Sequence, residues 1–144
     1  MEIYKITSEE AKEIYLEKYK NISEETKDAL FYLTIELDDV SADDDEDELY
    51  ASSFFLIKDE ENLKILYEAL ELIGLNVKIE LVTDKVISGF YLSQEKKHPA
   101  IRKFFYKFKK NNVTIDQILD QINEHGFKNL QPVYKSMLSK NEFK

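Results

Sequence analysis

Hydrophobic and polar positions along the chain repeat with two periods, and each period predicts its own kind of element. Glu2 to Ile6 alternates and reads as a strand. Thr7-Ser8-Glu9-Glu10 then has the spacing of a capping box, and Ala11, Ile14, Tyr15 and Tyr19 continue it as one face of a helix ending near Lys20. Ser23 can cap a further short turn. In Phe31 to Asp38, Phe31, Leu33, Ile35 and Leu37 alternate with Tyr32, Thr34, Glu36 and Asp38, which predicts a strand with one buried and one wetter face. Tyr50 to Ile57 is a second apolar run of strand length. Asp59 stands where a helix would be capped, and Leu63, Leu66, Tyr67, Leu70 and Ile73 form its apolar stripe, closed by Gly74. Val77, Ile79 and Leu81 alternate with Lys78 and Glu80.

The order is β-α-β-β-α-β, which predicts an α+β fold with a ferredoxin-like antiparallel sheet. Val86 to Leu92 fits either a strand or a helix, and its β-branched and aromatic content predicts a fifth strand. From Glu95 the pattern is helical. Pro99 suits a first turn, and Ile101, Phe104, Phe105 and Phe108 follow at core spacing. Thr114 with Gln117 makes a second capping box ahead of Ile115, Ile118, Leu119 and Ile122, and Gly126 closes that helix. Leu130 to Leu138 predicts a last one. The expected organisation is an acidic α+β domain over residues 1–93 and a basic three-helix extension over 94–144.

Composition narrows the chemistry. The 144 residues include nine Tyr, nine Phe and no Cys, which allows a proper core and excludes disulfides, thiolate catalysis and cysteine-ligated metal. Met1 to Lys5 lacks the basic-then-apolar pattern of a signal peptide, and no apolar run approaches the roughly 20 residues that span a bilayer. A cytoplasmic protein with no membrane span is expected. Net charge is −9, but residues 1–94 hold nine Lys/Arg against twenty-four Asp/Glu (−15), and residues 95–144 hold eleven against five (+6). Such asymmetry points to separate modules, a clamp between the two halves, or a charged partner, and the basic helix could meet the acidic portion within one chain or across a symmetric homodimer.

Two charged segments are candidate binding sites. Asp43, Asp44, Asp45, Glu46, Asp47 and Glu48 follow one another in the connection between the two expected middle strands. Asp43, Asp45 and Asp47 have the opening spacing of a calcium loop, but Glu48 and Phe54 stand where such a loop needs Gly and Glu, so no metal site is expected. The run would instead steer a protein with a basic surface. Lys96, Lys97, Arg102, Lys103, Lys107, Lys109 and Lys110 are interleaved with aromatics and could lie on nucleic-acid phosphates, while the phenylalanines at core spacing predict a buried stripe with a solvated basic back. His98 and His125 have no metal-ligand spacing, and Gly74, Gly89 and Gly126 are too scattered for a phosphate loop, so neither a cofactor nor a catalytic set is expected.

The run Ile115-Asp116-Gln117-Ile118-Leu119-Asp120-Gln121-Ile122, with Gly126, Leu130 and Leu138, resembles a helical segment at the C-terminus of some bacterial rhomboid-type membrane proteases. That segment lies outside the protease core, so the resemblance implies no activity. The expected function is that of a non-enzymatic binding or regulatory protein, of an inhibitor or immunity type, using the acidic run. A nucleic-acid-associated protein using the basic helix is the alternative, and a small enzyme the third.

Overall fold

Strand β1 (Glu2–Ser8) is flanked on both sides and organises everything N-terminal to Thr83 in the computed structural model, which describes residues 1–9, 17–18, 20–34, 37–41, 52–74 and 76–140. It pairs antiparallel with β3 (Ser52–Ile57), from Glu2 opposite Ile57 to Thr7 opposite Ser52, and with β4 (Val77–Leu81), from Tyr4 opposite Leu81 to Ser8 opposite Val77. The edge strand β2 (Asp38–Ser41) pairs antiparallel with β3, giving a four-stranded order β2-β3-β1-β4 among the described residues. At four residues with two aspartates, β2 is the short, charged kind of edge that resists further strand addition.

Two helices with described bounds belong to the same unit. In α1 (Glu24–Thr34) the Ser23 hydroxyl accepts the Thr26 amide at 3.1 Å, and Glu24 and Glu25 lie in the favourable first turn. In α2 (Glu60–Ile73) Asp59 accepts the Asn62 amide at 2.8 Å, and Gly74 closes the helix at φ 70°. Alternation along the strands sends Tyr4, Ile6, Phe55, Ile57, Val77 and Ile79 to one face. There Ile6, Leu37, Ile57 and Leu66 form the buried centre, with Leu63 and Leu70 packed against it. Thr83 ties the end of this unit to its start, since its hydroxyl donates to Glu2 and accepts the Ile3 amide at 2.9 Å.

The chain divides into two compact units, Met1–Thr83 and Asp84–Lys144. The second is helical: α3 (Thr83–Ser88), α4 (Leu92–Lys97), α5 (Pro99–Asn112), α6 (Ile115–His125), a single 3-10 turn (Phe127–Asn129) and α7 (Pro132–Lys140). Both halves of the expected capping box are present at the start of α6, and Pro99 occupies the first turn of α5. Ile101, Phe105, Phe108, Val113, Ile118, Tyr134 and Met137 supply its buried centre.

Several expectations are overturned. Of the strand expected over Phe31 to Asp38, Phe31–Thr34 is helix continuing from the Ser23 cap, and strand pairing among the described residues includes Asp38 but not Leu37. Once a capped turn is nucleated, adding residues is easy, and four alternating residues are too few to resist it. Val86 to Leu92 is not a fifth strand either. It is the end of α3, a turn and the first residue of α4, with Val86, Ile87 and Tyr91 buried and Phe90 exposed, a pattern that period-two alternation cannot produce. Thr7 is no helix cap, because β1 runs on through Ser8. The first expected helix falls mostly on residues outside those described.

The α2 stripe packs as expected at Leu63, Leu66 and Leu70, but Tyr67 is 48% exposed and Ala69 is buried. Leu66→Ala should therefore lower stability by about 2–5 kcal/mol in urea unfolding. Tyr67→Ala, at a surface site, should stay within about 0.5 kcal/mol of the parent.

Candidate functional site

Helix α5 presents two faces of opposite character. Ile101, Phe105 and Phe108 point into the helical core, as their spacing requires. Pro99, Arg102, Lys103 and Tyr106, also three or four residues apart, run along the opposite wall and line a groove of about 870 Å³. Leu92, Glu95 and Lys96 of α4 and the segment Asn129–Val133 complete the lining. Its volume falls within the range typical of ligand sites.

Lys109 and Glu95 belong to this groove but are themselves withdrawn from water. Lys109 is only 1% exposed, and its ammonium donates to both Glu95 carboxylate oxygens, at 3.2 and 3.3 Å, and to Gln131 Oε1 at 2.8 Å. Gln131 Nε2 donates in turn to the Ile87 carbonyl at 2.9 Å, and the Tyr134 hydroxyl donates to that same carbonyl at 2.7 Å. One polar chain thus joins α3, α4, α5, α7 and the connection before α7. Burial pushes the Glu95 carboxyl above its ordinary range and the Lys109 ammonium below its own, with their mutual attraction opposing both shifts. Burial, and secondarily the Glu95 charge, raises the Tyr134 phenol.

Gly89 makes room for this chain. It ends α3 at φ 88°, and Phe90 donates back to the Lys85 carbonyl at 2.9 Å in the manner of a Schellman close. A β-carbon there would stand 2.9 Å from Gln131 Nε2 and 2.9 Å from the Leu92 side chain.

Of the basic residues singled out from the sequence, Lys96, Arg102 and Lys103 are exposed and come together on the groove. Lys97 and Lys107 are exposed but do not line it, and Lys110 lies 5.5 Å from the centre of the Tyr106 ring. Lys109, expected as one more surface cation, is corrected to a core residue. The signal is present in the sequence: Lys109 follows Phe105 by four residues and so shares its buried face. Glu95 also stands out as the last acid before Asp116 in a basic stretch. Leu119, expected in the α6 stripe, is 46% exposed, while Ile118 is buried. His98 joins α4 to α5, and the His125 carbonyl accepts from Asn129 at 3.1 Å. Among the described residues, no group of three or more potential His, Asp or Glu ligands comes together. The acidic run Asp43–Glu48 lies outside the described residues.

Removing one buried partner strands the other. Lys109→Met and Glu95→Leu should each destabilise by about 3–5 kcal/mol in denaturant unfolding, and the double variant by clearly less than the sum. Gly89→Ala should also destabilise, through its positive φ and the displaced Gln131 amide. The raised Tyr134 pKa contributes stability that is intact below the unfolded tyrosine value of about 10 and is lost as pH rises above it. Tyr134→Phe should therefore lose about 1 kcal/mol at neutral pH and show a shallower alkaline decline than the parent.

Compared with protein-family models, with curated proteins and with solved structures, the chain matches none.

Proposed function

We propose that this is a non-enzymatic binding or regulatory protein that works through protein–protein contacts, and that the groove of the C-terminal unit receives carboxylates of a partner. The observation that carries this reading is the lining itself. Three exposed cations, Lys96, Arg102 and Lys103, stand beside apolar Leu92, Pro99, Tyr106 and Val133. At the floor, the Lys109 ammonium donates to Glu95 and to Gln131, which suits a structural base better than proton transfer. Rim cations beside apolar pockets combine steering with anchoring.

The acidic run Asp43–Glu48 is the complementary contact, addressed to a basic surface. The nucleic-acid reading of the basic helix loses Phe105 and Phe108 as stacking groups, because both are buried, and keeps only the exposed Tyr106 beside its cations. The element order, the strand order β2-β3-β1-β4 and the all-antiparallel pairing support a ferredoxin-like reading of residues 1–83, which by itself implies no function. The absence of cysteine is compatible with a cytoplasmic setting.

A tagged full chain should retain a discrete protein from native lysate after nuclease treatment. Lys96→Glu/Arg102→Glu/Lys103→Glu should reduce that capture about tenfold or more, and Lys97→Glu/Lys107→Glu should leave it nearly unchanged. Recovery of nucleic acid in place of protein, or equal loss in both variants, would contradict the reading.

A further inference from the structure

Two stretches of this chain carry charge of a single sign. Between Lys27 and Lys58 there is no Lys or Arg, and Asp43–Glu48 are six consecutive acids. Between Glu95 and Asp116 there is no Asp or Glu, and four of the cations in that interval line the groove, three of them exposed. Apolar residues accompany both stretches. Pro99 and Tyr106 lie on either side of Arg102 and Lys103, separated by about 10 Å of helix rise. In sequence Leu49-Tyr50 directly follow the acidic run, while Ser41-Ala42 separate it from Val40 of β2.

We propose that the groove is occupied by the acidic run Asp43–Glu48 of a second copy of this chain. The proposal deepens the reading of the groove as a carboxylate-binding site and rests on it. Its partner with a basic surface is then the same protein. Because each chain bears both the run and the groove, a twofold pair makes the contact twice, each copy giving one acidic segment and taking one. Two linked weak contacts hold better than either alone, which suits charge pairs at an exposed rim that are individually worth little.

Self-association of the intact chain is measured by sedimentation over a wide concentration range at about 50 mM and about 500 mM salt, where screening differs strongly. A fluorescent peptide of residues 38–51 is titrated against the same chain, beside a control peptide with every Asp and Glu changed to Asn and Gln. The expected results are a dimer whose dissociation constant rises about tenfold or more at the higher salt, and binding of the acidic peptide but not the control. Neutralising Asp43–Glu48 to Asn and Gln, or reversing Lys96, Arg102 and Lys103 to Glu, should each abolish the dimer. Mixing the two variants should restore one contact and hence a weaker heterodimer.

A chain that stays monomeric and ignores the peptide overturns the proposal, and so does a dimer indifferent to both sets of substitutions. A monomer that binds the peptide only after its own run is neutralised overturns it as well, because the run then occupies the groove of its own chain. If self-association fails while the rim reversal still removes a lysate partner, this proposal falls and the wider reading of the groove stands. If the dimer forms as described but no other protein is captured, the second copy is the whole of the partner.

Discussion

Taking the Lys109 ammonium out of water would, uncompensated, cost several kcal/mol, a large share of a small domain's net stability. The cost is met by three hydrogen bonds supplied from two other segments, with Glu95 giving two and Gln131 one. Neither supplier is free to sit elsewhere. Gln131 is held through its other amide end to the Ile87 carbonyl, and its approach depends on there being no β-carbon at Gly89. A buried ion pair of this kind adds little net stability over a well-packed apolar substitute. Its effect is to fix which parts of the helical unit meet, because any other arrangement leaves a charge unpaired in a dry interior.

The groove follows from that arrangement. With Lys109 drawn inward and Ile101, Phe105 and Phe108 committed to the core, α5 is left with Pro99, Arg102, Lys103 and Tyr106 along its outer wall. Glu95 holds α4 against α5, which brings Lys96 to the same rim. Glu95, the acid among the lining residues, is engaged with Lys109. The surface is therefore both positively charged and partly apolar.

Much of the fold is legible in the sequence, and the failures share a physical cause. Caps can be read wherever a side chain acts only on its near neighbours, as Asp59 does on the Asn62 amide, Thr114 with Gln117, and Gly74 in the left-handed region. These depend on residues three or four positions away and on nothing else. Phe31–Asp38 and Val86–Leu92 mislead because short apolar runs carry both periods at once. In the first, the Ser23 cap decides the outcome; in the second, Gly89 ending a helix does. At the site, the cations are visible in sequence but their sorting is not. Separating Lys96, Arg102 and Lys103 from Lys97 and Lys107 needs the position of the 129–133 segment, which lies more than twenty residues further along the chain. Lys109 is the exception, since its helical spacing from Phe105 already places it on the buried face.

The most direct measurement is an NMR titration of the Lys109 ammonium and the Glu95 carboxyl in the native chain. If the pair is buried as described, Lys109 titrates below the ordinary lysine value of 10.5 and Glu95 above the ordinary glutamate value of 4.5, and Gln131→Ala perturbs the Lys109 resonance. Ordinary midpoints for both groups, indifferent to Gln131, would put the pair in water and leave the groove without the floor that shapes it.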